Sequence, residues 1–298
     1  MNEVSLIRVF VRDSVGGGTH AVDAVGGNPV PLVADARGMS ARAMQDVAAA
    51  YGHESAFILP GDHGCDWRLR FFVPQHEMEM CGHATVGALW ALRQWGRWNT
   101  PTARIRTESG VVVVRWDAVR EQVWISQPAV RTRSLLPSAC ARVAAQLRLP
   151  AGSYPTVNAA TSRVKTLVAL PSVAMLHGLR PDFTTMEALC TAIDSTGLYP
   201  YAMGEPLANG TALVHARQFP RASGYPEDAA TGIAAAALWG YLAHAGLLAR
   251  TGGSVASIAV WQGDTMGSPS EILVAPRYSE AGEPDGCWLS GNVAWSNA

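Results

Sequence analysis

The stretch RFFVPQHEMEMCGHATVGALW, Arg70 to Trp90, returns in altered form as RQFPRASGYPEDAATGIAAAALW, Arg217 to Trp239. Aligned on their glycine helix starts, Gly82 meets Gly232, Glu77 meets Glu227 and Leu92 meets Leu242. Upstream, Arg70-Phe71-Phe72 meets Arg217-Gln218-Phe219, with a short insertion in the second copy. A duplicated half-domain places two equivalent helix N-termini in one molecule. The start of a helix of small residues exposes backbone N–H groups and a partial positive charge, and so attracts carboxylate or phosphate.

The elements around each copy come in the same order. In the first half, Leu6 to Val11 reads as a strand, followed by a turn at Gly16-Gly17-Gly18 and a strand from about His20. Asn28-Pro29 breaks the pattern before a strand at Val30 to Val33. Ser40 suits the N-cap of a helix through Met44, Val47 and Tyr51, whose apolar spacing is helical. Strands at Ala56 to Leu59 and Trp67 to Val73 lead into the helix from Gly82 to about Trp95. Strands near Ile105, Val111 to Val114 and Val123 to Ile125 follow.

In the second half, Val164 to Leu170 is a strand, and Thr184 or Thr185 caps a helix through Leu189 and Ile193. Tyr199 to Met203 and Leu213 to Phe219 read as strands before the helix from Gly232 to about Leu247. Strands lie near Ile258 to Trp261 and Ile272 to Val274. The join falls between Gln127 and Pro155, with a helical stretch at Ala139 to Leu147. Two α+β halves result, each with one helix wrapped by strands. Runs of strands without intervening helices argue against a doubly wound parallel sheet.

Composition narrows the function classes. The 298 residues suit two domains, and with 48% hydrophobic and 16% charged residues a full core is available. A net charge of −1 offers neither nucleic acid nor an anionic membrane a basic surface. Cys65, Cys81, Cys140, Cys190 and Cys287 are scattered, with no C-x-x-C pair, which fits reduced thiols in the cytoplasm. The N-terminal MNEVSLIRVFVR reads as a charged strand rather than a signal peptide. Ala229 to Ala249 is apolar but interrupted by Thr231, three glycines and His244, so a buried helix is expected there rather than a membrane span.

Several side chains suit proton chemistry. Glu54 begins a short apolar strand. It is either a solvated loop glutamate, the commoner case, or a partly desolvated base. His83 follows Gly82 in the first helical turn, where the dipole favours the neutral imidazole; capping or packing is its alternative role. Glu227 and Asp228 precede the second helix start. They serve there as caps and dipole partners, or Asp228 orients His83 or binds a substrate ammonium. Cys81, at the first helix start, is a candidate acid or base, or else a buried small residue. Its counterpart is Thr231, so a two-thiol mechanism lacks its second thiol. The triple glycine has no following helix to make a dinucleotide loop. The histidines His53, His63, His76 and His83 lack metal-ligand spacing, so no metal is expected. Trp90, Trp95, Trp98 and Trp239 read as core or interface residues.

Taken together, Gly27-Asn28-Pro29, Met44-Gln45, Glu54-Ser55-Ala56-Phe57, Cys81-Gly82-His83-Ala84-Thr85, Glu227 to Gly232, Gln262-Gly263 and Met266 to Ser270 resemble the PhzF-like proteins, relatives of diaminopimelate epimerase and proline racemase. The resemblance spans nearly the whole chain. It implies an α+β fold of two pseudo-symmetric barrel-like domains, each around a central helix, with the site in the cleft between them. The expected domains are 1–127, joined by about 288–298, and 128–287. It implies a cytoplasmic, homodimeric, cofactor-independent isomerase acting on a small carboxylate in secondary-metabolite (antibiotic) biosynthesis.

The resemblance makes Glu54 the proton carrier, with His83 and Asp228 as its catalytic partners. Asn28, Cys81, Gly82, Thr231, Gly232 and Ile233 become substrate-binding residues. Where the family commonly reads Glu-Asp-Pro-x-Thr-Gly-Ser, this chain has Ala229 and Ile233. An apolar wall therefore replaces a hydroxyl, and the substrate of the family's naming enzyme is not carried over. An amino-acid or hydroxy-acid epimerase and a non-catalytic ligand-binding protein remain as alternatives.

Overall fold

A computed structural model of the chain describes residues 3–12, 26–251 and 253–296. The triple-glycine turn and the strand expected from about His20 lie outside the described residues. The chain forms two compact units, Met1–Ser126 with Leu289–Ala298, and Gln127–Trp288.

The first unit contains β1 (Val4–Val11), β2 (Asn28–Val33), α1 (Ala41–Tyr51), β3 (Ser55–Pro60), β4 (Trp67–Phe72), β5 (Glu77–Met78), α2 (Gly82–Gln94), β6 (Thr102–Thr107), β7 (Gly110–Asp117) and most of β8 (Gln122–Gln127). The strands β1 and β2 pair antiparallel, β2 and β3 parallel, β3 and β4 antiparallel, β4 and β6 parallel, and β6 and β7 antiparallel. The chain's last strand, Asn292–Trp295, returns to this unit beside β1, with Ile7 opposite Trp295. There the Trp295 ring meets those of Trp90 in α2 and of Trp95, the residue that caps that helix's C-terminus, at tilted angles with centroids 5.2 and 5.6 Å away.

The second unit contains β9 (Arg131–Ser134), α3 (Pro137–Gln146), β10 (Thr156–Ala160), β11 (Val164–Ala169), α4 (Val173–Gly178), α5 (Met186–Ala192), β12 (Gly197–Met203), β13 (Ala212–Ala216), β14 (Phe219–Pro220) and α6 (Gly232–His244). After them come β15 (Arg250–Thr251), β16 (Ser254–Val255), β17 (Ile258–Gln262), β18 (Ser270–Tyr278) and β19 (Pro284–Ser290). Its pairings repeat the first unit's order. They run β10–β11 antiparallel, β11–β12 parallel, β12–β13 antiparallel, β13–β17 parallel and β17–β18 antiparallel. The two copies differ at the short strand before the helix, since β5 pairs with β4 whereas β14 pairs with β12.

A parallel pair needs a crossover, and helices supply it. Between β2 and β3 it is α1, capped as expected by Ser40, whose Oγ accepts the Ala43 N–H at 3.1 Å. Its Met44 and Ala48 pack on Val33, Phe57 and Phe72. Burying a side chain the size of Met44 or Phe57 contributes about 1.5–3 kcal/mol. Between β11 and β12, α4 and α5 do the same work through Leu176, Met186 and Leu189 on Val168 and Leu198. The other two crossovers are α2 and α6. Every residue from Gly82 to Leu92 is buried, as are nearly all of α6 from Gly232 to Leu242. A helix of small and apolar residues on all sides has no face for water, so it sits inside its unit. Among the described residues no helix is long and apolar enough to cross a membrane.

Two sequence expectations need correction. Asn28 and Pro29 do not break a strand but begin β2, opposite Val9 and Arg8; proline is tolerated at a strand start. Leu213 to Phe219 is not continuous, because β13 ends at Ala216 and β14 starts at Phe219 on another partner. The strands β9, β10 and β19, the last strand and α4 carried no readable period. In β9, Arg131–Ser134 is exposed throughout.

Candidate active site

In the first unit the turn after α1 brings Glu54 to the mouth of β3, and the β5–α2 junction brings Cys81 and His83 opposite it. The Cys81 thiol donates to Glu54 Oε2 at 3.1 Å. Its sulfur lies 3.4 Å from His83 Nδ1, and His83 Nε2 lies 3.4 Å from the same Glu54 oxygen. Cys81 and His83 are buried, while the Glu54 side chain keeps 20% of its surface exposed. Three groups able to take or give a proton therefore touch one another, and one of them faces outward.

Arg8 donates to the carbonyls of Gly26 and Gly27, beside Asn28 at the start of β2. Desolvation, with Arg8 and His83 nearby, holds the His53 imidazole below the usual histidine range. Gln45 of α1 donates to the Val73 carbonyl, tying α1 to the end of β4. At the start of α2, Cys81 is the N-cap and makes no side-chain cap bond, its carbonyl accepting from Thr85 N and Oγ1 instead. The N–H groups of the first turn, at Gly82 and His83, are of the kind that bind anions.

The equivalent junction in the second unit holds Asp228, Thr231, Gly232 and Ile233. Thr231 caps α6 in the place that Cys81 takes on α2, again without a side-chain cap bond. Its hydroxyl donates to Asp228 Oδ2 at 2.5 Å. Gln262, fully buried at the end of β17, donates to the Asp228 carbonyl at 2.7 Å and to Thr231 Oγ1 at 3.1 Å. It accepts from Thr231 N and from Tyr199 Oη. Asp228 is thus fixed by a buried amide, and Ile233 lies buried in the first turn of α6. After Gln262 comes Gly263 at φ 81°, where a Cβ would lie 2.1 Å from the Ser268 carbonyl oxygen. Only glycine fits that turn.

Of the expected site residues, Cys81, Gly82, His83, Thr231, Gly232 and Ile233 form the two helix starts, Glu54 touches the first, Asp228 touches the second, and Asn28 begins β2. Within the first unit, Glu54, Cys81 and His83 meet. Within the second, Asp228 meets Thr231. Sequence reasoning missed Tyr199 and the bracing role of Gln262. The amide was visible only as part of a motif, and the tyrosine gives no local signal. The ligand atoms of Glu54, Cys81 and His83 also lie within 4.8 Å of one another, as do those of His177, His215 and Asp264. Both sets are of metal-binding types.

A model of the PhzC-PhzF family, described as phenazine biosynthesis-like protein, matches residues 19–295. An uncharacterized isomerase of Deinococcus radiodurans is 32% identical over 83% of this chain and 81% of its own length. The trans-2,3-dihydro-3-hydroxyanthranilate isomerase of Pseudomonas aeruginosa is 29% identical over 90% and 91% of the two chains. Among solved structures, a PhzF-family protein of Bacillus anthracis superposes with a TM-score of 0.80 at 22% identity, covering 99% of this chain and 96% of its own. A hydroxyproline epimerase of Agrobacterium vitis superposes with a TM-score of 0.58 at 11% identity, over 99% and 90%. These two likenesses establish a shared α+β fold.

Proposed function

The chain belongs to the phenazine biosynthesis-like protein family, and on that footing we propose that it is a cofactor-independent isomerase that moves a proton on a small unsaturated carboxylate. The contact of Glu54 with Cys81 and His83 carries this reading, because it gathers a proton acceptor and its exchange partners at one place.

Glu54 takes the proton from a carbon made acidic by an adjacent double bond or carbonyl, and returns it to another carbon on the same face. The electron pair left on the first carbon shifts through the double bond to the second, so atoms and charge balance without an oxidant. The Cys81 thiol hydrogen-bonds Glu54 and fixes which carboxylate oxygen faces the substrate. His83 holds the substrate's polar group. The first-turn N–H groups at Gly82 bind the carboxylate, and those at Gly232 offer an equivalent set. Asp228 acts beside them with its geometry set by Thr231 and Gln262. The reading extends to a cytoplasmic homodimer in secondary-metabolite biosynthesis, which rests on the family resemblance and on the scattered cysteines.

A second reading has one observation in its favour. The Cys81 sulfur lies 3.1 Å from Glu54 Oε2 and 3.4 Å from His83 Nδ1, and a thiol in contact with a carboxylate can itself exchange a proton. An epimerase would use Cys81 or Glu54 on one face of the α-carbon and another group on the opposite face.

Proton NMR in D2O with dihydrohydroxyanthranilate and a panel of unsaturated cyclic amino acids separates the two. Deuterium at a new carbon with a shifted double bond is the expected result. Exchange at the α-carbon with inversion would replace it by the epimerase. Binding without exchange from carbon would make the protein a ligand-binding relative of the family's enzymes.

A further inference from the structure

A second cluster of ligand-type side chains lies wholly within the C-terminal unit and has no part in the proton chemistry. His177 ends α4, His215 lies in β13, and Asp264 lies in the short 3-10 turn (Asp264–Met266) that follows β17. One ligand atom from each lies within 4.8 Å of the others, and all three residues are half-buried. We propose that His177, His215 and Asp264 form a binding site for a divalent transition-metal cation of the zinc type. This inference is independent of the isomerase reading.

The donor set suits such a cation. Two imidazoles and one carboxylate are three of the ligands that zinc takes in open sites, with further positions left for water. Bonds of about 2.0–2.2 Å in a tetrahedral arrangement put neighbouring ligand atoms about 3.4 Å apart. Rotation about the side-chain bonds of His177 and Asp264, both near the ends of short elements, closes the remaining distance. Magnesium and calcium are disfavoured, because they take oxygen ligands and only one carboxylate is present.

His215 is held in place by its surroundings. Its ring and that of His177 meet edge to face, centroids 5.9 Å apart. On its other side His215 meets Trp261, its register partner on β17, at 5.4 Å. The indole of Trp261 is in turn anchored to Glu271 by a 2.8 Å hydrogen bond. Gly204 keeps the space beside His215 open, since a Cβ there would stand 3.0 Å from Nε2.

Two arginines border the cluster, and Arg180 donates to the carbonyls of His177 and Leu179. Arg217 is held by both oxygens of Glu227 and donates to the carbonyls of Leu176 and Leu179. Asp264 brings a carboxylate to the two imidazoles. A bound metal would tie α4 to the turn at Asp264, joining two connections that otherwise hang from different strands. Such a tie stabilises the folded chain as far as the metal prefers it over the unfolded one.

Calorimetric titration of the chelator-stripped full chain with zinc tests this. The cluster at Glu54 is set aside by repeating the titration in Cys81→Ser. One zinc per chain is expected in both proteins, with a raised melting temperature in each. Outer-shell changes alone weaken metal sites by about 10–100-fold, so loss of a ligand in His177→Gln or Asp264→Asn should weaken binding by about 100-fold or more. Neither side chain is part of a core cluster, and the melting temperature in chelator checks that each variant folds. Absence of binding under excess zinc would overturn the proposal. So would binding that survives unchanged in either variant, or that disappears in Cys81→Ser.

Discussion

Arg217 and Glu227 are joined by two parallel hydrogen bonds of 2.9 and 2.8 Å, and both side chains are about nine-tenths buried. Their counterparts Arg70 and Glu77 are joined in the same way at 2.6 Å twice. Each arginine also lies over the phenylalanine two residues on, Phe219 at 4.9 Å and Phe72 at 5.1 Å. The repeated sequence thus encodes a repeated brace, which holds the strand before each helix start against the acidic residue that leads into it.

Burial sets the value of each brace. Removing Glu227 strands a buried guanidinium, so Glu227→Ala should cost about 3–5 kcal/mol in urea unfolding. Arg70 and Glu77 keep 19% and 30% of their surface, and water can replace the lost partner. There Glu77→Ala should cost nearer 1 kcal/mol. Equal losses at the two positions would show that burial is not what distinguishes them.

At the proton-transfer cluster, Glu54→Gln should lower kcat by about 100- to 10,000-fold, the usual contribution of a general base, while substrate still binds. Cys81→Ser keeps a hydrogen-bond donor beside Glu54 and should cost about tenfold or less if Glu54 alone carries the proton. A loss in Cys81→Ser as large as that in Glu54→Gln would move the chemistry to the thiol.

Two effects of opposite sign meet at Gly240 in α6. Alanine favours a helix interior over glycine by about 1 kcal/mol. A Cβ at Gly240, however, would come within 2.6 Å of Val130 Cβ, an atom held by its own backbone. Overpacking of that kind costs about 1–3 kcal/mol, so Gly240→Ala should lower the melting temperature. A rise would mean that the residues around Val130 give way easily.

Alkaline pH should destabilise the protein through its buried thiols. Burial pushes Cys190 up to about 11 and Cys287 up to about 12, from an ordinary value of 9.0. Tyr199 and Tyr201 are pushed upward for the same reason. Between those limits the folded chain holds protons that the unfolded chain has released. The stabilisation is therefore complete below about pH 9 and is lost as pH rises toward 11–12. Urea midpoints measured from pH 8 to 11 should hold to about pH 9 and fall above it. At pH 8, iodoacetamide should label the partly exposed Cys65 and Cys140 well before Cys190 or Cys287.

The sequence by itself determined the duplication, the two buried helices and most of the strands beside them. Those features are written locally, in glycine starts, apolar runs and the spacing of Arg70 to Glu77 and Arg217 to Glu227. It also marked Glu54 at the start of an apolar strand, and Cys81, His83 and Asp228 at or just before the helix starts, because acidic, thiol and imidazole groups in those places carry a physical reason.

Only the tertiary structure decided which of them meet. Glu54 and Cys81 are 27 residues apart, and nothing local says that a thiol will donate to that carboxylate at 3.1 Å. The contact arises because β3 and the β5–α2 junction are brought together by the pairing of β3 with β4. The bracing of Asp228 by Gln262, 34 residues on, is likewise a product of strand order. So is the meeting of His177, His215 and Asp264, each on a different element. The short strands escaped the sequence for a related reason. Arg131–Ser134 is a strand only because β10 lies beside it, and its hydrogen bonds leave no trace in side-chain pattern.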